Sequence, residues 1–343
     1  MQILSKMSPV KPTKVYDTYW KFAAKRQEIF FRRYEGKLPP WTEDPIFLGH
    51  KFTNAYRASD RVSQYLLRNV IYRGDQTPEE VFFRCILFKI FNRLSTWELL
   101  ETALGEVRYS TFSFRRYDEI LTRAMQRGEK IFSAAYIMAT HAENLNEKLK
   151  HRNYLILLER MMKDGLPSQL MRLNSMADAF NRLLEYPLIG NFIAYQFVTD
   201  INYSTLTDFS EMDFVVPGPG AKDGIRKCFE TIGDLTEADV IKFVTDRQGE
   251  EFDRLGINFR NLWGRPLQLI DCQNLFCEVD KYARLAHPEI RGITNRTRIK
   301  QKFTPNSQPI HYWFPPKWRI NERILPVVHN GHTGQLMLIN IGS

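Results

Sequence analysis

The sequence predicts an all-α fold that closes with one short β-hairpin. Between Pro78 and Asp280 apolar residues recur at three- and four-residue spacing, as in VFFRCILFKIFNRL, IFSAAYIMATHA, NYLILLERMM and DAFNRLLEYP. Alternating, strand-like segments are scarce. Pro187 and Gly190 interrupt two of the helical patterns, Met176 to Leu184 and Phe192 to Ile201, and so predict a tight turn between two helices.

Taken in order, the chain reads as three parts around one core. Residues 1–45 form a basic, aromatic N-terminal extension: Lys21, Lys25, Arg26, Arg32 and Arg33 share a predicted helix with Trp20, Phe22, Phe30 and Phe31. The rings are expected to face the core and the basic groups to lie open to phosphate. Residues 46–290 form the helical catalytic domain, with the hairpin at 184–201. Residues 291–343 form a basic, aromatic arm, and the VV and LMLINI runs flanking HNGHTGQ, between Leu325 and Ile341, predict the β-hairpin. The pairs Pro39-Pro40 and Pro315-Pro316 mark the edges of the core.

Composition removes several classes of protein. With 43% hydrophobic residues and 24 Phe, 15 Tyr and 6 Trp in 343 residues, the chain can bury a large core, which excludes general disorder. No apolar run reaches membrane-spanning length and MQILSKMSPVKPTK lacks a signal-peptide core, so a cytoplasmic protein is expected. Cys85, Cys228, Cys272 and Cys277 are too few and too irregular for a disulfide framework or an iron–sulfur cluster and read as buried free thiols. His329 and His332 have metal-like spacing without further ligands nearby and read as a hairpin turn, so neither metal nor cofactor is expected.

The net charge of +9 is modest, so its placement decides what it means. From Arg291 to Arg319 there are seven basic residues and no acidic one, interleaved with Phe303, Tyr312, Trp313, Phe314 and Trp318. That mixture suits a polyanion with stackable bases, with Arg296, Arg298 and Lys300 as backbone contacts. It equally suits a proline-rich arm anchored on the core by its rings. The turn between the two hairpin helices points free N–H groups and a helix N-terminus at one spot, which makes Gly190 and Asn191 a phosphate cradle. Gly218, Gly220 and Lys222, in GPGAKDG, would expose further amides to a phosphate. That run lacks the spacing and the Lys-Ser/Thr ending of a nucleotide-binding loop, so kinase activity is not expected in this chain.

Asp213 is the leading catalytic candidate. It lies twenty-three residues after Gly190, next to Glu211, and ahead of an apolar Phe214-Val215-Val216 stretch leading to a new helix. A carboxylate tuned by burial and dipoles there would stabilise a cationic sugar transition state; the plain alternative is a helix N-cap. Asp200, after the hairpin, is a second candidate, orienting a ligand or capping its helix. Arg57, Asp60, Arg61 and Gln64 fall on one face of a predicted helix with Asn54 beside it, which suits reading a flipped pyrimidine or forming a solvated salt-bridge face. Lys281, three residues from Glu278, either orients the active site or makes an ordinary helical ion pair.

The hairpin and the acidic residue that follows it resemble the helix-hairpin-helix DNA glycosylases. Here Leu188 stands where their hairpin has its first glycine, and Phe192 stands where strand-cleaving members carry lysine, which implies hydrolysis without Schiff-base chemistry. A closer resemblance covers residues 15 to 318. The segment from Gly49 to Leu66, together with GNFIAYQFVTDINYS, DFVVPGPGAKDGI and LFCEVDKYARL, is similar to the alpha-glutamyl/putrescinyl thymine pyrophosphorylase family. That family is in turn similar to the helical domain of 5-hydroxymethyluracil DNA kinases and to phage-defence glycosylases that remove glucosylated hydroxymethylcytosine. The resemblance implies a helix-hairpin-helix glycosylase-like domain acting on DNA with hypermodified pyrimidines, and adds Phe52 and Gln196 to the base-binding set. Three functions are open: a monofunctional glycosylase, a transferase that replaces pyrophosphate on activated hydroxymethyluracil with an amine or amino acid, and a module that only binds DNA.

Overall fold

The computed structural model describes residues 10–134, 138–140, 142, 145–306 and 310–325. It is mostly helical, as the apolar spacing predicts. The helices are α1 (Lys14–Tyr34), α2 (Pro45–Gly49), α3 (Arg61–Tyr65), α4 (Pro78–Phe91), α5 (Leu94–Leu104), α6 (Phe114–Gln126), α7 (Lys150–Lys163), α8 (Leu166–Leu170), α9 (Met176–Leu184), α10 (Asn191–Asn202), α11 (Pro219–Cys228), α12 (Glu237–Asp246), α13 (Gln248–Arg254) and α14 (Leu269–Ala286). Among the described residues the one sheet is a two-stranded antiparallel ribbon in which β1 (Lys11–Pro12) pairs with β2 (Phe229–Thr231). It ties the segment just before α1 to the end of α11; the hairpin expected after Leu325 lies outside the described residues.

Helix α14 is the axis of the core, packed by α1, α11 and α12. Helix α1 starts where Thr13 accepts a hydrogen bond from the Val15 N–H, with Asp17 in its first turn and Arg32 and Arg33 in its last, charges that complement the helix dipole. Its rings turn inward. Tyr19 meets Phe276 of α14 with ring centroids 4.6 Å apart, and Trp20 meets Phe252 of α13 edge-on at 5.0 Å.

The contact between α11 and α14 depends on glycine. A methyl group on Gly224 would lie 2.0 Å from the Phe276 carbonyl oxygen, and one on Gly220 would lie 3.1 Å from Cys277 Sγ. The GPGAKDG run is therefore a packing stripe one helical turn long, with Gly218 buried as its N-cap, rather than an open loop.

The helical hairpin is present. Helix α9 begins at Ser175, whose hydroxyl accepts from the Asp178 N–H at 3.0 Å, and α10 begins at Gly190. Leu188, where the related hairpins have glycine, holds φ of 66° and is buried, a left-handed conformation that costs an L-residue about 1 kcal/mol or more. The apolar burial of its side chain offsets that cost.

One predicted helix is not formed by the residues described there. In IFSAAYIMATHA the described residues are irregular, with Ile131 and Met138 buried from a loop. Ser133 N–H donates to the Phe91 carbonyl and the Ile131 carbonyl accepts from the Thr96 hydroxyl, so the backbone is satisfied by neighbouring helices instead of by its own turns.

Candidate nucleic-acid interface

The segment from Arg57 to Ile71 is not one continuous helix. Residues 57–59 form a 3₁₀ turn, α3 follows after an extended Asp60, and residues 66–71 widen into a π-turn. The break turns the predicted stripe in two directions. Arg57 points into the core, where its Nη1 and Nη2 donate to the two oxygens of Asp200 at 2.7 and 2.9 Å and Nη2 also donates to Gln196 Oε1 at 3.1 Å. Lys89 of α4 adds a second cation 3.0 Å from Asp200. The Arg57 backbone N–H donates to Asp271 at the start of α14. Gln64 is spent on the Ala58 carbonyl and the Trp313 N–H.

Arg57, Gln64, Gln196 and Asp200 are thus buried and joined to protein groups rather than presented to a base. Burial opposes ionisation of Asp200, but Arg57 and Lys89 outweigh it and hold its carboxyl below the ordinary range. A sequence stripe cannot show this, because the partners come from four separate helical segments.

Asp60 and Arg61 remain on the outer side. Asp60 Oδ1 accepts the Asn54 N–H at 2.8 Å, and burial pushes its carboxyl up to about 7 against the pull of that N–H and of Arg26. Arg61 is exposed. Beside them lies a cleft of about 350 Å³ between α1, the 39–54 segment and the C-terminal arm. Trp41, Phe47, Phe52, Phe303 and Tyr312 give it aromatic walls, and Arg26, Arg33, His50 and Asn54 give it polar ones. His50 Nδ1 and, next to the lining residue Phe52, Thr53 Oγ1 are buried without a hydrogen-bond partner.

Of the residues singled out from sequence, Phe52, Asn54, Arg26, Arg33, Phe303 and Tyr312 line this cleft, with Lys281 against Phe52. Lys281 Nζ sits 5.1 Å from the Phe52 ring centroid and pairs with Glu278 at 2.7 Å, while Glu278 also accepts the Thr53 N–H at 3.0 Å. Trp41 and His50 escaped the sequence reading; the one available signal was the aromatic residue directly after Pro39-Pro40. The arm forms part of the wall because it is anchored: Lys302 bridges to His50 and the Phe303 N–H donates to the Gly49 carbonyl.

Other sequence-predicted residues lie elsewhere. Asp213 is exposed on the loop before α11 and caps no helix, since Gly218 is the α11 N-cap. Gly190 and Asn191 are exposed at the start of α10, where a side chain on Gly190 would meet nothing within 4 Å. Gly218 and Gly220 are committed to packing against Phe192 and Cys277, which removes them as a phosphate cradle. Lys222 is exposed and 3.7 Å from Glu237. Arg296 pairs with the buried Asp223 at 2.8 Å, whereas Arg298 and Lys300 are exposed. Among the described residues no group of three or more His, Cys, Asp or Glu could hold a metal ion, and no helix is long and apolar enough to cross a membrane. All four cysteines are free.

A helical core carrying this cleft and a basic arm has a recognisable kin. Residues 13–292 match the family model described as the helical domain of 5-hmdU DNA kinase, and the chain belongs to that family. A curated relative, the 5-hmdU DNA kinase of Bacillus phage SP10, is 27% identical over 325 residues, covering 88% of this chain and 50% of the relative. The chain therefore spans about half the length of that relative. No solved structure matches it.

Proposed function

We propose that the chain is a monofunctional DNA glycosylase that removes a hypermodified pyrimidine, such as glucosylated hydroxymethylcytosine, from phage DNA. The observation that carries this reading is the aromatic-walled cleft, bounded by the motif around Phe52 and Asn54 and by the basic arm. Rings that stack a base, beside fixed polar groups, suit a nucleotide rotated out of the duplex. The name of the phage relative supports DNA with a modified pyrimidine as the substrate. Arg298 and Lys300, with the amides at Gly190 and Asn191, offset the cost of flipping through phosphate contacts. Asp213, exposed on the loop before α11 and not among the residues lining the cleft, is the carboxylate this reading assigns to the developing sugar cation, which requires the sugar to reach that loop; water adds to C1′, the C1′–N1 bond breaks, its electron pair and the water's proton leave with the base, and an abasic site remains. Lys281 orients the cleft through Glu278.

The transferase reading is favoured by one observation, the kinship with a DNA kinase, since transfer to an activated hydroxymethyluracil needs a phosphorylated base. The two differ in product: free base in one, and in the other released pyrophosphate and an amine-bearing nucleotide retained in DNA. Asp213→Asn is expected to lower base release by at least about 100-fold, within the range of a catalytic electrostatic contact, while DNA affinity stays within about twofold. Normal turnover by this variant would remove Asp213 from the mechanism. Because the carboxylate is exposed, a stability change would not confuse the result.

A further inference from the structure

Arg26 is held differently from the other basic residues of α1. Its Nε donates to the Thr53 carbonyl at 2.8 Å, and Nη2 donates to Asn54 Oδ1 at 2.6 Å and to the Phe52 carbonyl at 3.5 Å. Asn54 is itself tied down, with Nδ2 donating to the Ser59 carbonyl at 2.8 Å. Among the described residues Nη1 donates to no protein group, and it is not sealed from solvent. The guanidinium is thus a rigid fork whose one spare edge belongs to a residue lining the cleft. His50 lines the same cleft, but its unpartnered Nδ1 is sealed from solvent.

A fixed donor on an aromatic wall is what distinguishes a base-reading site from a greasy groove. Stacking on Trp41, Phe52 or Tyr312 is available to every base, so rings alone do not discriminate. A preset N–H does, because a ligand without an acceptor there leaves a buried cation unmatched. Asp60, one hydrogen bond behind Asn54, and Glu278, behind Thr53, partly offset the burial of the fork, which still lowers the Arg26 guanidinium's affinity for its proton.

We propose that Arg26 is the base-reading residue of this chain: Nη1 donates to a carbonyl oxygen of a pyrimidine stacked in the cleft. This rests on the reading of the cleft as the flipped-base site. It gives a base-reading role to Arg26, which the sequence offers only as one of several basic groups open to phosphate.

The test is binding rather than turnover. Two single-stranded oligonucleotides are compared by anisotropy, one with a central 5-hydroxymethyluracil on a 2′-fluoro sugar, which resists excision by destabilising the sugar cation, and one with a tetrahydrofuran abasic analogue in its place. The native protein is expected to prefer the base-bearing strand. Arg26→Gln is expected to weaken that complex by about tenfold and leave the abasic complex within about twofold. Phe303→Ala, at the half-buried lip of the cleft on the arm, is expected to show the same base-selective loss even if the Arg26 variant folds poorly. Equal losses on both strands, or a folded Arg26→Gln variant with no base-selective loss, would overturn the proposal, and so would no base-selective loss from Phe303→Ala. A base-selective loss in a protein that releases no base from DNA would keep Arg26 as the reader and remove the glycosylase instead.

Discussion

Asp200→Asn is expected to destabilise the protein by about 3–5 kcal/mol, the cost of breaking a buried ion pair by removing one partner. Asp200 is 1% exposed and is the shared anion of Arg57 and Lys89. An amide offers one weak acceptor to a cluster that then carries two buried cations and no anion. Lys89 keeps Asn92 Oδ1 at 3.2 Å and Arg57 keeps Gln196, neither of which carries charge. Arg57 also fixes α14 through its backbone bond to Asp271, so the damage would spread to the central helix. Chemical denaturation would show a lower midpoint. The comparison with Asp213→Asn is informative: both variants lose activity, but one should lose it by unfolding and the other with its melting curve unchanged. Equal stability of the Asp200 variant would mean that the cluster is not the structural element its burial implies.

Gly224→Ala is expected to cost about 3 kcal/mol, at the upper end of overpacking effects, or to prevent folding. The new methyl would meet backbone, the Phe276 carbonyl, at 2.0 Å, and no rotamer change relieves that clash. Helices α11 and α14 would have to separate, straining the buried contact of Lys227 with Asp280 at 2.9 Å. Gly190→Ala is the matched control. Its φ of −92° suits any residue and its Cβ would meet nothing, so its stability should change by less than about 0.5 kcal/mol. Thermal melts of the two variants side by side check both expectations.

These variants also show what the sequence made legible. The helices α7, α9 and α14 were readable because each buries a face repeated at helical spacing, α4 and α10 are buried all round and were readable from their dense apolar content, and Pro187 with Gly190 marked the turn between α9 and α10. The residues 131–142 misled because buried apolar side chains at similar spacing also arise in a loop whose backbone bonds go to neighbouring helices. The glycines of 218–224 were read as exposed amides, since a glycine that admits a phosphate and one that admits a second helix look alike in one dimension. Charge was the hardest to read. Arg57 and Arg61 look equivalent in RASDR, yet the extended backbone at Asp60 turns one into the core and leaves the other outside. The cleft was invisible for a simpler reason: Arg26, Trp41, Phe52 and Tyr312 meet only after the arm has crossed α1.

The most direct test of the glycosylase reading is mass spectrometry of small molecules released when the purified protein is incubated with hypermodified phage DNA, with unmodified DNA alongside. The account predicts free modified base from the first, none from the second, and an equal number of abasic sites in the treated strand. Intact DNA in both samples, or a nucleotide that changes mass while staying in the strand, would contradict it.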